Sequence, residues 1–388
     1  MVDTNFSAAP LRTALRDRGV EVFTVGSNAS DALAKSSDHY IGLDYSDVDR
    51  LSAVAEELNI DFLVPGCNDL SYEVCARVAA QRGYPGFEAP EAVAQLHQKA
   101  QFRELCRAIS VSVPQVFASA DAASRCGGAV IVKPVDAYSG RGVTVIRRPN
   151  QENLAAAVDD AKAMSRSGEV IIEQFVDGQL YSYSAFLNGG KVAAGFSVQE
   201  FCSVNPFVVD TSYVLPDQEL SRAVASDIET LAQSVGLQCG LLHVQYISDG
   251  LNYWLIEPAR RCPGDLYSEL ITRSTGYPYA AAFIAPFIGE APLEKTLSTV
   301  RPIIRRTVAA GQAGIFRSVS FGGSGPVDCF LLATVGEQLT PSPGGRVALA
   351  FFNCENEASK VETVTQLLDG ALTKIEFMDT SVNNKNAL

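Results

Sequence analysis

Val130-Ile131-Val132-Lys133-Pro134-Val135-Asp136-Ala137-Tyr138-Ser139-Gly140-Arg141-Gly142-Val143-Thr144-Val145-Ile146 reads as an apolar strand that delivers a lysine, a loop with a serine and two glycines, and a second apolar strand. Glycines let backbone N–H groups approach phosphate oxygens without a Cβ clash, and an adjacent ammonium supplies compensating charge. This is the chemistry of a phosphate-cradling loop between two strands. There is no G-x-x-x-x-G-K-[ST], and Gly140-x-Gly142 lacks the third glycine and following helix of a dinucleotide fingerprint. A glycine hairpin beside a surface lysine uses the same residues, so the neighbouring segments decide between the readings.

Downstream, Val170-Ile171-Ile172-Glu173-Gln174-Phe175-Val176-Asp177-Gly178 is an apolar strand ending in an acid and a glycine turn. A carboxylate beside exposed strand backbone can read a purine amino group, with Phe175 and Val176 as an apolar wall; a sheet strand with an edge glutamate is the plainer alternative. Further on, residues 241–247 and 253–259 are apolar strands around Ser248-Asp249-Gly250-Leu251-Asn252, which is hairpin chemistry. Pairing about Leu251 sets Gln245 opposite Glu257 and His243 opposite Ala259, with the first two side chains ~5 Å apart. Two oxygen-bearing side chains at that spacing suit a shared Mg²⁺, which keeps water and phosphate oxygens in most of its coordination sites.

Outward from these segments, the first hundred residues alternate strands and amphipathic helices, the pattern of a parallel sheet. A strand is expected at 20–25, helices at 33–35 and 48–58, and a short buried strand at 62–65 ending at Gly66. Residues 1–6 are too brief to supply a leading strand, from which an incomplete start is expected. Ala89-Pro90-Glu91 opens a helix that carries His97, Lys99 and Arg103 and ends near Ser110. Residues 111–117, with Pro114, read as a linker. From 130 to 257 the chain is β-rich, with helices at 151–165 and 217–235. After Leu293 it turns β-like again with Gly/Pro punctuation, and the polar 379–388 tail is expected to fray.

With 388 residues, 47% hydrophobic, the chain is long enough for two or three domains with their own cores. Its 31 Lys+Arg against 44 Asp+Glu give a net charge of −13, which disfavours broad nucleic-acid or anionic-membrane binding. Nine cysteines without a C-x-x-C pair argue against a disulfide framework or zinc ribbon and for a reducing cytoplasm. No apolar run reaches the ~18 residues of a spanning helix.

In order and spacing, these segments resemble the ATP-grasp superfamily of carboxylate–amine ligases, in the branch of carbamoyl-phosphate synthetase, biotin carboxylase and the L-amino-acid ligases. The resemblance covers most of residues 20–290. It implies a mixed α/β and α+β architecture: a pre-ATP-grasp α/β domain at 1–95, an ATP-grasp domain at 96–295 whose two subdomains clamp ATP (lid about 115–182), and a small β-rich unit at 296–388. Lys99 then resembles the helix lysine near the phosphates and Lys133 the strand lysine that binds them. Ser139, Gly140 and Gly142 resemble the lid loop, and Glu173, Phe175 and Val176 the adenine-reading hinge. Gln245 and Glu257 resemble the ligands of Mg²⁺ (or Mn²⁺), and Arg261 the arginine that holds the phosphorylated carboxylate. Residues 268–277 look like the helix that follows the metal strand.

The resemblance further implies an ATP-dependent enzyme that activates a small, amino-acid-like carboxylate as an acyl phosphate and joins it to an amine. Its partners would be small-molecule substrates, with homodimerisation a family expectation. Three positions depart from the family: the ribose-binding acid falls on Leu180, the metal-ligand asparagine on Ala259, and the first metal acid on Gln245. These departures also suit a non-catalytic ATP-binding sensor or assembly protein. A phosphate-binding transferase unrelated to ATP-grasp would require Lys133 and Glu257 to lie far apart. His39, His97 and His243 read as hydrogen-bonded structural histidines, Cys262 as a small hydrophobe and Trp254 as core. Residues 198–216, of weak periodicity, read as a substrate-covering loop where acceptor specificity would lie, with Arg260 and Arg273.

Overall fold

The computed structural model describes residues 1–137, 140–294, 299–342 and 344–378. The chain divides into two compact units, Met1–Val198 with Leu215–Thr299 and Gln199–Val214 with Val300–Leu388.

The first unit opens with a small parallel sheet. The strand expected at 20–25 occupies Phe23–Gly26 and pairs with His39–Gly42. Residues 1–3 form no full strand, as their brevity suggests, but Val2 bridges both Val25 and Pro65, and its N–H donates to Val64 O at 2.9 Å. So short a segment is held because Val2 is fully buried among Val25, Leu51, Leu63, Val74 and Val78. Residues 62–65 join through that bridge rather than as a full strand. The helix Asp69–Arg82 follows at the carboxyl end of this sheet, where α/β domains place ligands. Asn68 caps it by accepting from Ser71 N, Asp69 sits in its first turn, and Gly83 ends it at φ 78°.

The single helix expected through His97, Lys99 and Arg103 is two, Pro90–His97 and Lys99–Ala108. Gln98 between them is extended, with φ −82° and ψ 114°. It closes the first helix through Gln98 N to Ala94 O and opens the second by accepting from Phe102 N. Phe102 and Cys106 enter the core while Lys99 and Arg103, four residues apart, share another face.

Residues 130–174 form an antiparallel sheet ordered Thr144–Ile146, Val130–Pro134, Val170–Gln174. Period-two alternation sorts its side chains. Val130, Val132 and Ile172 pack on Leu154, Ala157 and Ala161, the last three from the helix Gln151–Met164. Ile131, Lys133, Ile171 and Glu173 are left to the opposite face.

The larger sheet of this unit runs Tyr253–Ala259, Cys239–Ser248, Gln179–Asn188, Lys191–Phe201. One face carries Tyr183, Ala185, Leu242, Val244, Tyr246 and Leu255 into a core built with the helix Glu219–Ser234. The other face carries Ser182, Ser184, His243 and Gln245.

In the second unit Thr211–Val214, Ile303–Ala309, Arg346–Asn353 and Asp328–Leu331 make one antiparallel array, and Gln338–Leu339, Gly314–Phe321 and Thr373–Phe377 another. Residues 198–216 are not one long covering loop: 198–201 finish a strand and 211–214 form the next. Between them the buried Asp210 carboxylate accepts from Ser203 N (2.6 Å), Val204 N (2.9 Å) and Thr211 Oγ1 (2.8 Å) and pairs with Arg306, which folds the connection back on itself. The expected 379–388 tail lies outside the described residues. No helix among the described residues is long and apolar enough to cross a membrane.

Candidate functional site

Lys133, the lysine of the expected phosphate loop, does not project alone. Lys133 Nζ lies 2.6 Å from Glu173 Oε2, and Glu173 Oε1 accepts from Arg103 Nε at 2.6 Å. The Glu173 and Arg103 side chains are 1% and 2% exposed and that of Lys133 14%, so the chain of charges is set inside the protein with the ammonium at its outer end. Burial lowers the Lys133 pKa; Glu173 opposes this, and Arg103 adds to it. Glu173 Oε1 accepts from Arg103, while the buried Oε2 has the Lys133 ammonium against it as an ion pair and no hydrogen bond, so this carboxylate reaches the site through Lys133.

Beyond Lys133 the loop turns through Gly140 and Gly142, at φ 73° and 68°. A Cβ on Gly142 would meet Met164 Cβ at 2.8 Å and Pro134 Cγ at 2.9 Å, so glycine is required there for conformation and for space. Asp136 ties the base of the loop down by accepting from Ser165 Oγ (2.7 Å) and Ser167 N (2.8 Å). Ser139 lies outside the described residues. In the hinge, Phe175 N donates to Ala129 O at 2.9 Å and the Phe175 ring lies under the Arg147 guanidinium at 4.7 Å, while Val176 is buried.

The hairpin expectation holds where it matters and slips elsewhere. Glu257 pairs with Gln245 and Ala259 with His243, as pairing about Leu251 requires. Nearer the turn the register is one residue different, with Leu255 opposite Tyr246 and Trp254 opposite Ile247, and a bulge between Leu255 and Glu257 absorbs the difference. In an unbroken strand Leu255 and Glu257 would share a face. The extra residue Ile256 sends Leu255 to the core and Glu257 to the Gln245 face. It also places Trp254, expected to alternate away from that face, on it beside Ile247 and Leu180, and Trp254 is only half-buried.

Two further elements converge here. Lys99 Nζ lies 3.4 Å from Glu257 Oε1 and donates to Val135 O at 3.3 Å, two residues past Lys133. Glu257 also raises the affinity of Lys133 for its proton. The unrelated-transferase reading, which needs Lys133 and Glu257 far apart, does not fit this arrangement. Past the hairpin, Arg261 Nε donates to Asp69 Oδ1 at 3.1 Å. Burial alone would raise the Asp69 carboxyl, but the guanidinium holds it below the ordinary range. The next turn contains Asp265 and Leu266 at φ 54° and 53°, consecutive left-handed non-glycine residues, and Ser7 Oγ accepts from Asp265 N at 3.0 Å. Such strain persists only where surrounding bonds enforce it. The helix Tyr267–Thr275 follows and ends at Gly276.

Arg260 is a structural residue, not a specificity group. Its side chain is 2% exposed, paired with Glu88 through Nε–Oε1 and Nη2–Oε2 bonds of 2.9 Å, and bonded to the carbonyls of Leu241 and Cys239. Arg273 pairs with Glu269 one helical turn away at 3.2 Å. His97 is satisfied by Glu73 (3.1 Å) and by Arg260 N (3.3 Å). His243 bonds Ser184 Oγ at 3.0 Å, and burial with the nearby Arg261 pushes its pKa down to about 3, so it is neutral. Cys262 is fully buried. Residue patterns did not single out Asp69 or the Arg103–Glu173 link. The available signals were the Lys99/Arg103 spacing and an acid in the first turn after Asn68, both of which are ordinary surface patterns in isolation.

Gln245 and Glu257 bring an amide oxygen and a carboxylate to one sheet face, hard oxygen donors of the kind Mg²⁺ or Mn²⁺ accepts. Among the described residues no group of three His, Cys, Asp or Glu could hold a metal by itself. The pair therefore fits an ion that carries phosphate and water in its remaining positions.

Residues 127–268 match the ATP-grasp domain family. The phosphoribosylamine–glycine ligase of Methanopyrus kandleri is 26% identical over 197 residues, 47% of this chain and 44% of that protein. The chain spans less than half the length of the first curated relatives it matches. Among solved structures, L-amino acid ligase from Bacillus licheniformis superposes with a TM-score of 0.77 at 16% identity, covering 97% of this chain and 98% of that one. The biotin carboxylase domain of Hydrogenobacter thermophilus 2-oxoglutarate carboxylase, solved with MgADP, ADP and bicarbonate, gives 0.75 at 16% identity over 97% and 90%.

Proposed function

We propose, starting from an ATP-grasp domain at residues 127–268 within an ATP-grasp fold, that this chain is an ATP-dependent carboxylate–amine ligase acting on a small amino-acid-like acid. The observation that carries the reading is the convergence of Lys99, Lys133 and Glu257, from three distant stretches of sequence, beside Arg261.

In this reading Lys99 and Lys133 neutralise the triphosphate and the Gly140–Gly142 turn closes over it. The backbone of 174–176 and the Val176 side chain take the adenine. Gln245 and Glu257 would hold Mg²⁺, whose charge offsets that of the phosphate oxygens. Arg261, oriented through Nε by Asp69, presents its Nη edge to the substrate carboxylate. A carboxylate oxygen attacks the γ-phosphorus and ADP leaves. The amine nitrogen then attacks the acyl carbon, losing a proton as phosphate departs. The protein contributes positioning and charge neutralisation, the usual resources of phosphoryl transfer. Domain roles follow the 1–95, 96–295 and 296–388 division, with a cytoplasmic setting and homodimerisation as parts of the same proposal.

A non-catalytic nucleotide-binding role draws on Leu180 and Ala259, which leave the sugar and metal positions short of oxygen ligands. The test is a thermal-shift screen of amino acids with ATP and Mg²⁺, followed by ADP and phosphate release on the hits. Release that requires both an acid and an amine supports the ligase; nucleotide binding without release supports the alternative.

A further inference from the structure

The buried charges behind Lys133 sum to Arg103 (+1), Lys133 (+1) and Glu173 (−1), a net +1 with only the ammonium near the surface. Glu173 has one carboxylate to divide between two cations. Without Arg103 it would neutralise Lys133 and leave the phosphate loop without a free positive charge. Arg103 Nη1 is itself buried with no hydrogen-bond acceptor, so the guanidinium is not placed for its own best bonding. A buried polar group left short of a partner calls for an explanation beyond stability. Arg103 is 1% exposed and reaches Glu173 across 70 residues of sequence, from the helix whose first residue is Lys99.

We propose that Arg103 is a positioning residue of the nucleotide site: by occupying one oxygen of Glu173 it keeps the Lys133 ammonium charge available to the ligand's phosphates, and Glu173 is a charge-balancing group rather than a reader of adenine. This rests on the reading that ATP binds here and assigns the source of its phosphate affinity. The inference predicts a dependence on phosphate charge and none on the base.

The experiment is calorimetric binding of MgATP, MgADP and adenosine to the full chain and four variants, each checked for native circular dichroism. Arg103→Met takes the cluster from +1 to 0 and is expected to weaken MgATP about tenfold or more, MgADP less, and adenosine not at all. Arg103→Met with Glu173→Gln restores +1 and should recover MgATP affinity to within about threefold of the unmodified chain. Arg103→Lys keeps the charge and should stay near that value. Glu173→Gln alone raises the cluster to +2 and should tighten MgATP with adenosine unchanged, which keeps the proposal testable if Arg103→Met does not fold. Equal weakening of adenosine and MgATP, or a double variant as weak as Arg103→Met, would overturn it in favour of a purely structural or base-reading triad. An unmodified chain that binds no MgATP would instead sink the nucleotide-site reading from which the inference starts.

Discussion

Arg260 and Arg261 are adjacent, chemically identical and paired with different acids, and the proposed function gives them opposite roles, so truncating each to methionine should separate stability from turnover. Arg260→Met removes two 2.9 Å bonds to the Glu88 carboxylate, whose side chain is 9% exposed, and leaves that charge with the neutral Tyr72 hydroxyl as its remaining side-chain donor. Breaking a buried pair from one side costs about 3–5 kcal/mol. The carbonyls of Leu241 and Cys239 lose donors as well, at about 1 kcal/mol each. Arg261→Met removes one bond to Asp69 where both side chains are 23% exposed, a partly solvated pair worth about 1 kcal/mol. In turnover the order reverses. Losing a preorganised donor to the reacting carboxylate costs about 2–4 kcal/mol, or roughly 30- to 1000-fold. Stability can be read from urea unfolding of Trp254, the single tryptophan, which lies in the same unit as both arginines. Turnover is phosphate release with acids that raise it in the unmodified chain. Arg261→Met retaining full turnover, or losing as much stability as Arg260→Met, would refute the assignment of roles.

Lys133→Ala should reduce acid-dependent ADP release by about 2–4 kcal/mol of transition-state stabilisation, measured at saturating amine; unchanged release would remove Lys133 from the phosphate site. Gly142→Ala places a methyl group 2.8 Å from Met164 Cβ at φ 68°, and raised MgATP KM is the expected outcome, with Met164→Gly, which removes that Cβ, as a partial suppressor; an unchanged KM would separate the turn from the nucleotide. Burial alone would raise the Glu88 carboxyl, but the Arg260 guanidinium holds it below its ordinary 4.5. Its stabilisation is therefore complete above pH 4.5 and lost as pH falls through the lower folded value. Urea midpoints between pH 6 and pH 3 should show that acid loss, and Glu88→Gln should start less stable and flatten it; an equal slope in both chains would count against the buried pair as its source. Glu257→Gln should leave the unfolding midpoint within about 0.5 kcal/mol, since its side chain is 47% exposed, while abolishing most magnesium-dependent turnover; intact turnover would dismiss it as a metal ligand.

Strand patterning located the strands at 130–134, 144–146 and 170–174, because their apolar residues stand between glycine turns, but their pairing, which sets Lys133 and Glu173 on one face, came from the tertiary structure. The Gln245–Glu257 pairing was legible from hairpin symmetry, and the ATP-grasp resemblance from the order of the segments. Local sequence did not reveal the break at Gln98, because a helix of favourable residues carries no mark of where tertiary bonds re-aim it. Nor did it reveal the bulge at Ile256: a one-residue register change depends on which face the core accepts, and Leu255 could be drawn inward only by Tyr246 and the helix behind it.

The division between Arg260 and Arg261, the engagement of Glu173 by Arg103, and the Asp69–Arg261 pair were decided by tertiary structure alone. Each joins residues 70 or more positions apart. A charged side chain's role depends on the partner it meets and on how much water is left around the pair, and for these residues both are supplied by distant parts of the chain.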